Sequence, residues 1–144
     1  MKNRGKILAI DFGQKTVGLA VSDEDQTMVF GRGVIKNYQS LVFLFEKIRA
    51  FCEKEKVAEI VMGVPVGQDG EDTPQSERIR GIGVKLEEHL GDIQVSFEDE
   101  SFTSFEADEF LDKILQVRGR DRKESEDELA AVLILKRFLE LESV

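Results

Sequence analysis

The stretch KILAIDFGQKTVGLAVS, residues 6–22, decides the fold. Two apolar runs of β type, 6–11 and 17–22, flank a short polar connection at 13–16, and a third run follows at 28–35. Together they predict a three-stranded meander. Working outward, Leu41, Leu44, Phe45, Ile48 and Cys52 fall at the spacing of one helix face between 40 and 54, so a helix rests on the sheet there. A strand returns at 59–64 and stops before Pro65. Thr73 and Pro74 then read as an N-cap with proline at the first helical position, opening a helix to about Leu90 whose Ile79, Ile82, Leu86 and Leu90 face inward. A fifth strand is predicted at 93–98, which leaves Glu100 between its end and a third helix opened by a capping box at Thr103 and Glu106. A second capping box, Ser125 with Glu128, predicts the start of a last helix, apolar on most sides through Leu129, Val132, Leu133, Ile134 and Phe138. Residues 116–123, with Arg118, Arg120, Arg122 and Lys123, show no apolar period and read as a basic loop or linker. The order predicts an α/β fold: a mixed five-stranded sheet, made of the meander plus two strands joined by helical crossovers, with flanking helices.

Length and composition narrow the functions open to such a chain. At 144 residues, with 41% hydrophobic and 34% charged residues, one domain spanning 1–144 with a heavily charged surface is expected. The longest apolar run, 129–135, is far shorter than the ~18 residues of a membrane span. The apolar run at 7–10 after Lys2, Arg4 and Lys6 is too short for a signal peptide. A cytoplasmic protein with no membrane partner is the expectation, and Cys52, the single cysteine, excludes an internal disulfide. One Cys and one His (His89) cannot supply the usual ligands of zinc, so any metal is held by oxygen. The formal charge of −9 repels polyanions in general, so a nucleic-acid partner must meet a local basic patch or a bound cation.

Three acids from distant segments are the candidates for chemistry. Asp11 interrupts a buried strand at its C-terminal end, just before Gly13, where open α/β sheets bind ligands. Glu100 holds the equivalent place after another strand, and Asp127 falls in the first turn of the last helix, where the dipole favours a carboxylate. Taken singly, each fits a plainer role: a turn cap, a solvated acidic turn, a dipole partner. Taken together they are an oxygen-rich set of the kind that holds Mg2+ or Mn2+, ions that neutralise phosphate oxygens and activate water for phosphodiester hydrolysis. Arg78 and Arg80 on the second helix could meet a phosphate or form a solvated face.

These residues also carry a family resemblance. IDFGQKTVGLAVSD at 10–23, MGVP at 62–65, Asp69-Gly70, Pro74-Gln75 with Arg78 and Arg80, Asp99-Glu100, and Asp127 with AAVLIL at 130–135 resemble the YqgF-type proteins, from about residue 6 to 140. The resemblance implies a ribonuclease H-like fold and a nuclease described in two ways, as a pre-16S ribosomal RNA nuclease and as a Holliday junction resolvase. It implies metal-binding, catalytic roles for Asp11, Glu100 and Asp127, and phosphate-facing roles for Lys15, Arg78 and Arg80. With Arg118, Arg120 and Arg122 of the basic segment these are the expected substrate contacts. Thr16 and Ser101 depart from the family pattern, which often has basic residues there. The expected partners are precursor ribosomal RNA, with branched DNA and ribosomal particles as further candidates, for a monomer or a homodimer. A catalytically weak binding module is the alternative those two departures favour. An actin-like ATPase, whose phosphate loop also begins with a strand ending in Asp-x-Gly, needs two lobes, and 144 residues supply one.

Overall fold

The expected meander forms in the computed structural model. It describes residues 5–13, 16–36, 38–67, 69–100 and 122–142, without the side chains at 122–125 and 141–142. Strand β1 (Lys6–Phe12) pairs antiparallel with β2 (Thr16–Ser22), which pairs antiparallel with β3 (Val29–Lys36). Two further strands, β4 (Val57–Pro65) and β5 (Gln94–Glu100), run parallel to β1, giving one mixed sheet in the order β3-β2-β1-β4-β5. Helix α1 (Leu41–Glu55) begins at Ser40, whose hydroxyl accepts the Phe43 N–H at 3.2 Å. Helix α2 (Pro74–Leu90) begins at Thr73 with proline in its first turn, and a reciprocal capping box links Thr73 with Ser76. The last described helix is α3 (Arg122–Glu142).

Because successive strand residues point to opposite faces, the sheet buries two cores. Leu8, Ile10, Leu19, Ile60 and Met62 on one face meet Leu44 and Ile48 of α1 and Ile79 and Leu86 of α2. Ile7, Ala9, Ala20 and Val61 on the other meet Ala131, Ile134, Leu135 and Phe138 of α3. Small residues on this second face let α3 come close. A Cβ on Gly18 would stand 1.9 Å from the Asp127 carbonyl oxygen, so only glycine permits that approach.

Several boundaries differ from expectation, and three bear on the site. Helix α3 starts at Arg122, not at Ser125, so Arg122 is helical rather than part of a basic loop, and Asp127 lies in the second turn. Lys123, Glu124 and Glu126 are good helix formers and extend it. The Glu128 carboxylate, instead of closing a capping box, accepts the Gly33 N–H at 2.7 Å and ties α3 to the edge strand β3. Strand β5 runs on to Glu100 because its parallel ladder continues through Val64 with Asp99 and Pro65 with Glu100. Pro65 ends β4 from inside the strand, at its last position. The helix expected after Thr103 lies outside the described residues. Among those described, no helix is long and apolar enough to cross a membrane.

Candidate functional site

Asp11 shares the α3-facing side of β1 with Ile7 and Ala9, and is 8% exposed. Glu100, at the end of β5, leans across β4: its Oε1 lies 3.1 Å from where a Cβ on Gly63 would stand. Strand β4 separates β5 from β1, and the missing side chain at Gly63 lets the Glu100 carboxylate reach and hydrogen-bond Asp11. Asp127 arrives from the helix. Its two carboxylate oxygens lie 2.9 and 3.1 Å from the position of a Cβ on Gly13, and Oδ2 accepts the Thr16 hydroxyl. The Gly13 N–H donates to the Thr16 carbonyl at 2.8 Å, closing the connection that brings β2 under the helix. Asp11 and Asp127, 116 positions apart, and Glu100 thus lie toward one end of the sheet through the close approach that Gly13, Gly18 and Gly63 permit.

The electrostatics follow from that crowding. Burial is the largest cause holding the Asp11 carboxyl well above its ordinary 3.8; the hydrogen bond with Glu100 and the charges of Glu100 and Asp127 push it further up. The Asp11 carboxyl therefore holds its proton more strongly than an ordinary aspartate, with Glu100 as its hydrogen-bond partner. The donor atoms of these acids are hard oxygens, and a divalent cation would relieve the repulsion among them, so the residues fit Mg2+ or Mn2+. Among the described residues no three His, Cys, Asp or Glu side chains already form a set that could hold a metal. The contact is that of a carboxyl pair, with Asp127 adding its charge from beside Gly13 and Thr16.

The other expected site residues are spread out. Arg78 is exposed on α2. Arg80 donates through Nε to Asp72 at 3.2 Å, lies 3.6 Å from Asp99, and stacks 5.5 Å above the Phe97 ring. Phe97 packs on the α1 and α2 side, so these contacts hold Arg80 on the face of the sheet opposite Glu98 and Glu100. Lys15, Arg118 and Arg120 lie outside the described residues, as does the side chain of Arg122. Two further polar residues are buried on the α3-facing side in roles the sequence did not indicate. Glu98, 8% exposed, has its carboxyl raised chiefly by burial while Arg137, at 3.2 Å, opposes that shift. Thr16, which reads from sequence as a lost cation, is a buried donor to Asp127.

A family model described as "RuvX: Holliday junction resolvase" matches residues 5–141. A protein of Maridesulfovibrio salexigens is 37% identical over 93% of this chain and 97% of its own length. One of Caldanaerobacter subterraneus subsp. tengcongensis is 35% identical over 94% and 96%; both are named "Putative pre-16S rRNA nuclease". Among solved structures, Thermus thermophilus RuvC superposes with a TM-score of 0.58 at 12% identity, over 96% of each chain. RuvC from the same organism in complex with a Holliday junction substrate gives 0.55 at 14% identity, over 96% of this chain and 97% of that one. At such identity the likeness shows the fold alone, and that fold is the ribonuclease H-like arrangement expected from the sequence.

Proposed function

The chain belongs to the RuvX family of Holliday junction resolvases, and from that membership we propose that it is a divalent-metal-dependent endonuclease that hydrolyses phosphodiester bonds of the 16S ribosomal RNA precursor. The observation that carries this reading is the contact of buried Asp11 with half-buried Glu100, with the Asp127 charge acting on the same carboxyl, a charge arrangement that calls for a cation. Branched DNA is the second substrate, favoured by the description of the family.

In this reading Asp11, Glu100 and Asp127 hold Mg2+ or Mn2+. The ion, when bound, supplies charge neutralisation for the phosphate oxygens and a water acidic enough to attack. The Asp11 carboxyl, whose titration burial and the neighbouring acids push upward, would ionise in the presence of a cation, and Ile134 packs at Gly63 beside Glu100. The exposed Arg78 and the basic residues Lys15, Arg118, Arg120 and Arg122 meet the nucleic-acid backbone, offsetting an overall charge of −9 that repels it. Arg80, paired with Asp72 and Asp99 at the surface, is a further contact for the backbone in this reading. The work takes place in the cytoplasm, on ribosomal precursor particles.

Cleavage of a 16S precursor RNA and of a four-way DNA junction, with Mg2+ or Mn2+ and with chelator, tests the proposal when wild type is compared with Asp11→Asn. Metal-dependent cutting of the RNA is expected, and loss in the variant beyond the ~10–100-fold typical of a supporting group. Cutting that survives chelation, or that Asp11→Asn leaves intact, overturns the metal mechanism. Cutting of the junction alone replaces the substrate, and no cutting of either leaves a binding module.

A further inference from the structure

Helix α3 alone does not orient the Asp127 carboxylate, because a side chain in the second turn of a helix can rotate about its own bonds. The β1–β2 connection constrains it twice. Gly13 lacks the Cβ that would stand 2.9 and 3.1 Å from the two carboxylate oxygens, so the group can approach the backbone there. Thr16 then donates its hydroxyl to Oδ2. Thr16 is itself fixed: it is the first residue of β2, 8% exposed, on the α3-facing side with Gly18 and Ala20, and its carbonyl holds the Gly13 N–H at 2.8 Å. β-Branching further restricts its side chain to few rotamers.

We propose that Thr16 is the positioning residue of the metal site, its buried hydroxyl setting the rotation of the Asp127 carboxylate and so the direction in which the second oxygen is presented. This rests on the function proposed above. A hydroxyl suits the task because it gives a strong hydrogen bond to an ionised acid and brings no positive charge. A cationic side chain at this point would orient Asp127 equally well, yet would add a charge that competes with a divalent ion for the same oxygens. Thr16 leaves the negative potential of the three acids intact while taking away the freedom of one.

The test is calorimetric titration with Mn2+ alone, on wild type, Thr16→Val, Thr16→Ser and Asp11→Asn, with metal-free thermal unfolding to show that each is folded. Val keeps the shape and β-branching and removes the donor; Ser keeps the donor and removes the methyl. Loss of a group that orients a ligand typically weakens metal binding ~10–100-fold, and about tenfold is expected for Thr16→Val, with Thr16→Ser recovering most of it. In cleavage assays the Mn2+ concentration for half-maximal rate should rise in Thr16→Val, while the rate at saturating Mn2+ returns to that of wild type. Wild-type affinity in Thr16→Val, or a loss in Thr16→Ser as large as in Thr16→Val, overturns the role of the hydroxyl. If Asp11→Asn loses Mn2+ and Thr16→Val does not, the site stands without Thr16. If Asp11→Asn binds as wild type does, the metal site itself is wrong.

Discussion

Asp11 works against the fold it sits in. Its folded-state carboxyl titrates above the ordinary 3.8, so between that value and the raised one the native state binds more protons than the unfolded chain. Stability contributed by the protonated form is therefore fully present below 3.8 and is lost as pH rises through the folded value. Asn at this position cannot ionise and escapes that cost. Metal-free Asp11→Asn should accordingly melt at a higher temperature than wild type at pH 7, with the gap closing as pH falls toward 4. Thermal unfolding in chelator over that pH range checks it, and a variant less stable than wild type at pH 7 contradicts the burial argument. The acid is legible in the sequence because it breaks an apolar run. Its hydrogen-bond partner is not, because the 88 residues between Asp11 and Glu100 carry no local record of the distance between their side chains.

At the scale of elements, the contact of α3 with β2 decides whether the third acid arrives. A methyl on Gly18 would meet the backbone oxygen of Asp127 at 1.9 Å, and no rotamer change relieves a clash with backbone. Gly18→Ala should destabilise the protein by about 1–3 kcal/mol or more, the usual cost of overpacking, and reduce cleavage by displacing Asp127. Gly81→Ala is the control: it lies inside α2 with nothing within 4 Å of the added carbon, so it should stabilise by about 0.5–1 kcal/mol through helix propensity. Denaturant unfolding of the two variants separates these effects. The landing face of α3 was open to reading, since Thr16, Gly18, Ala20 and Ser22 are small residues at alternate positions of β2. The start of α3 was misread for a physical reason: Ser125 and Glu128 have the spacing of a capping box, but Glu128 finds a charge-assisted partner in the Gly33 N–H, which local spacing does not show.

For the whole molecule, charge is the constraint on function. A protein of net charge −9 that binds a polyanion must do so through few cations, each meeting phosphate directly. Replacing Arg118, Arg120 and Arg122 with Ala should weaken binding and reduce the dependence of log K on log salt by about 1 for each arginine that contacts a phosphate. Filter binding of RNA in an Asp11→Asn background, where cleavage does not interfere, measures that slope. An unchanged slope makes residues 116–123 a linker. Arg80 belongs to the same question. Grouped with Arg78 by sequence spacing, it pairs with Asp72 and Asp99 and stacks on the Phe97 ring, on the side of the sheet where α2 packs.

Periodicity with cap and turn signals determined the order of the described elements, the meander and the inward faces of α1 and α2, because solvent exposure is imposed residue by residue and leaves its period in the chain; the three acids stood out by their places at strand ends and a helix start and by the family resemblance. The tertiary structure decided which acids touch, which face Arg80 occupies, and that a threonine at the start of β2 holds an aspartate of the last helix. Such contacts depend on strand order, register and the closeness that three glycines permit, and these follow from packing summed over the whole sheet rather than from any one segment.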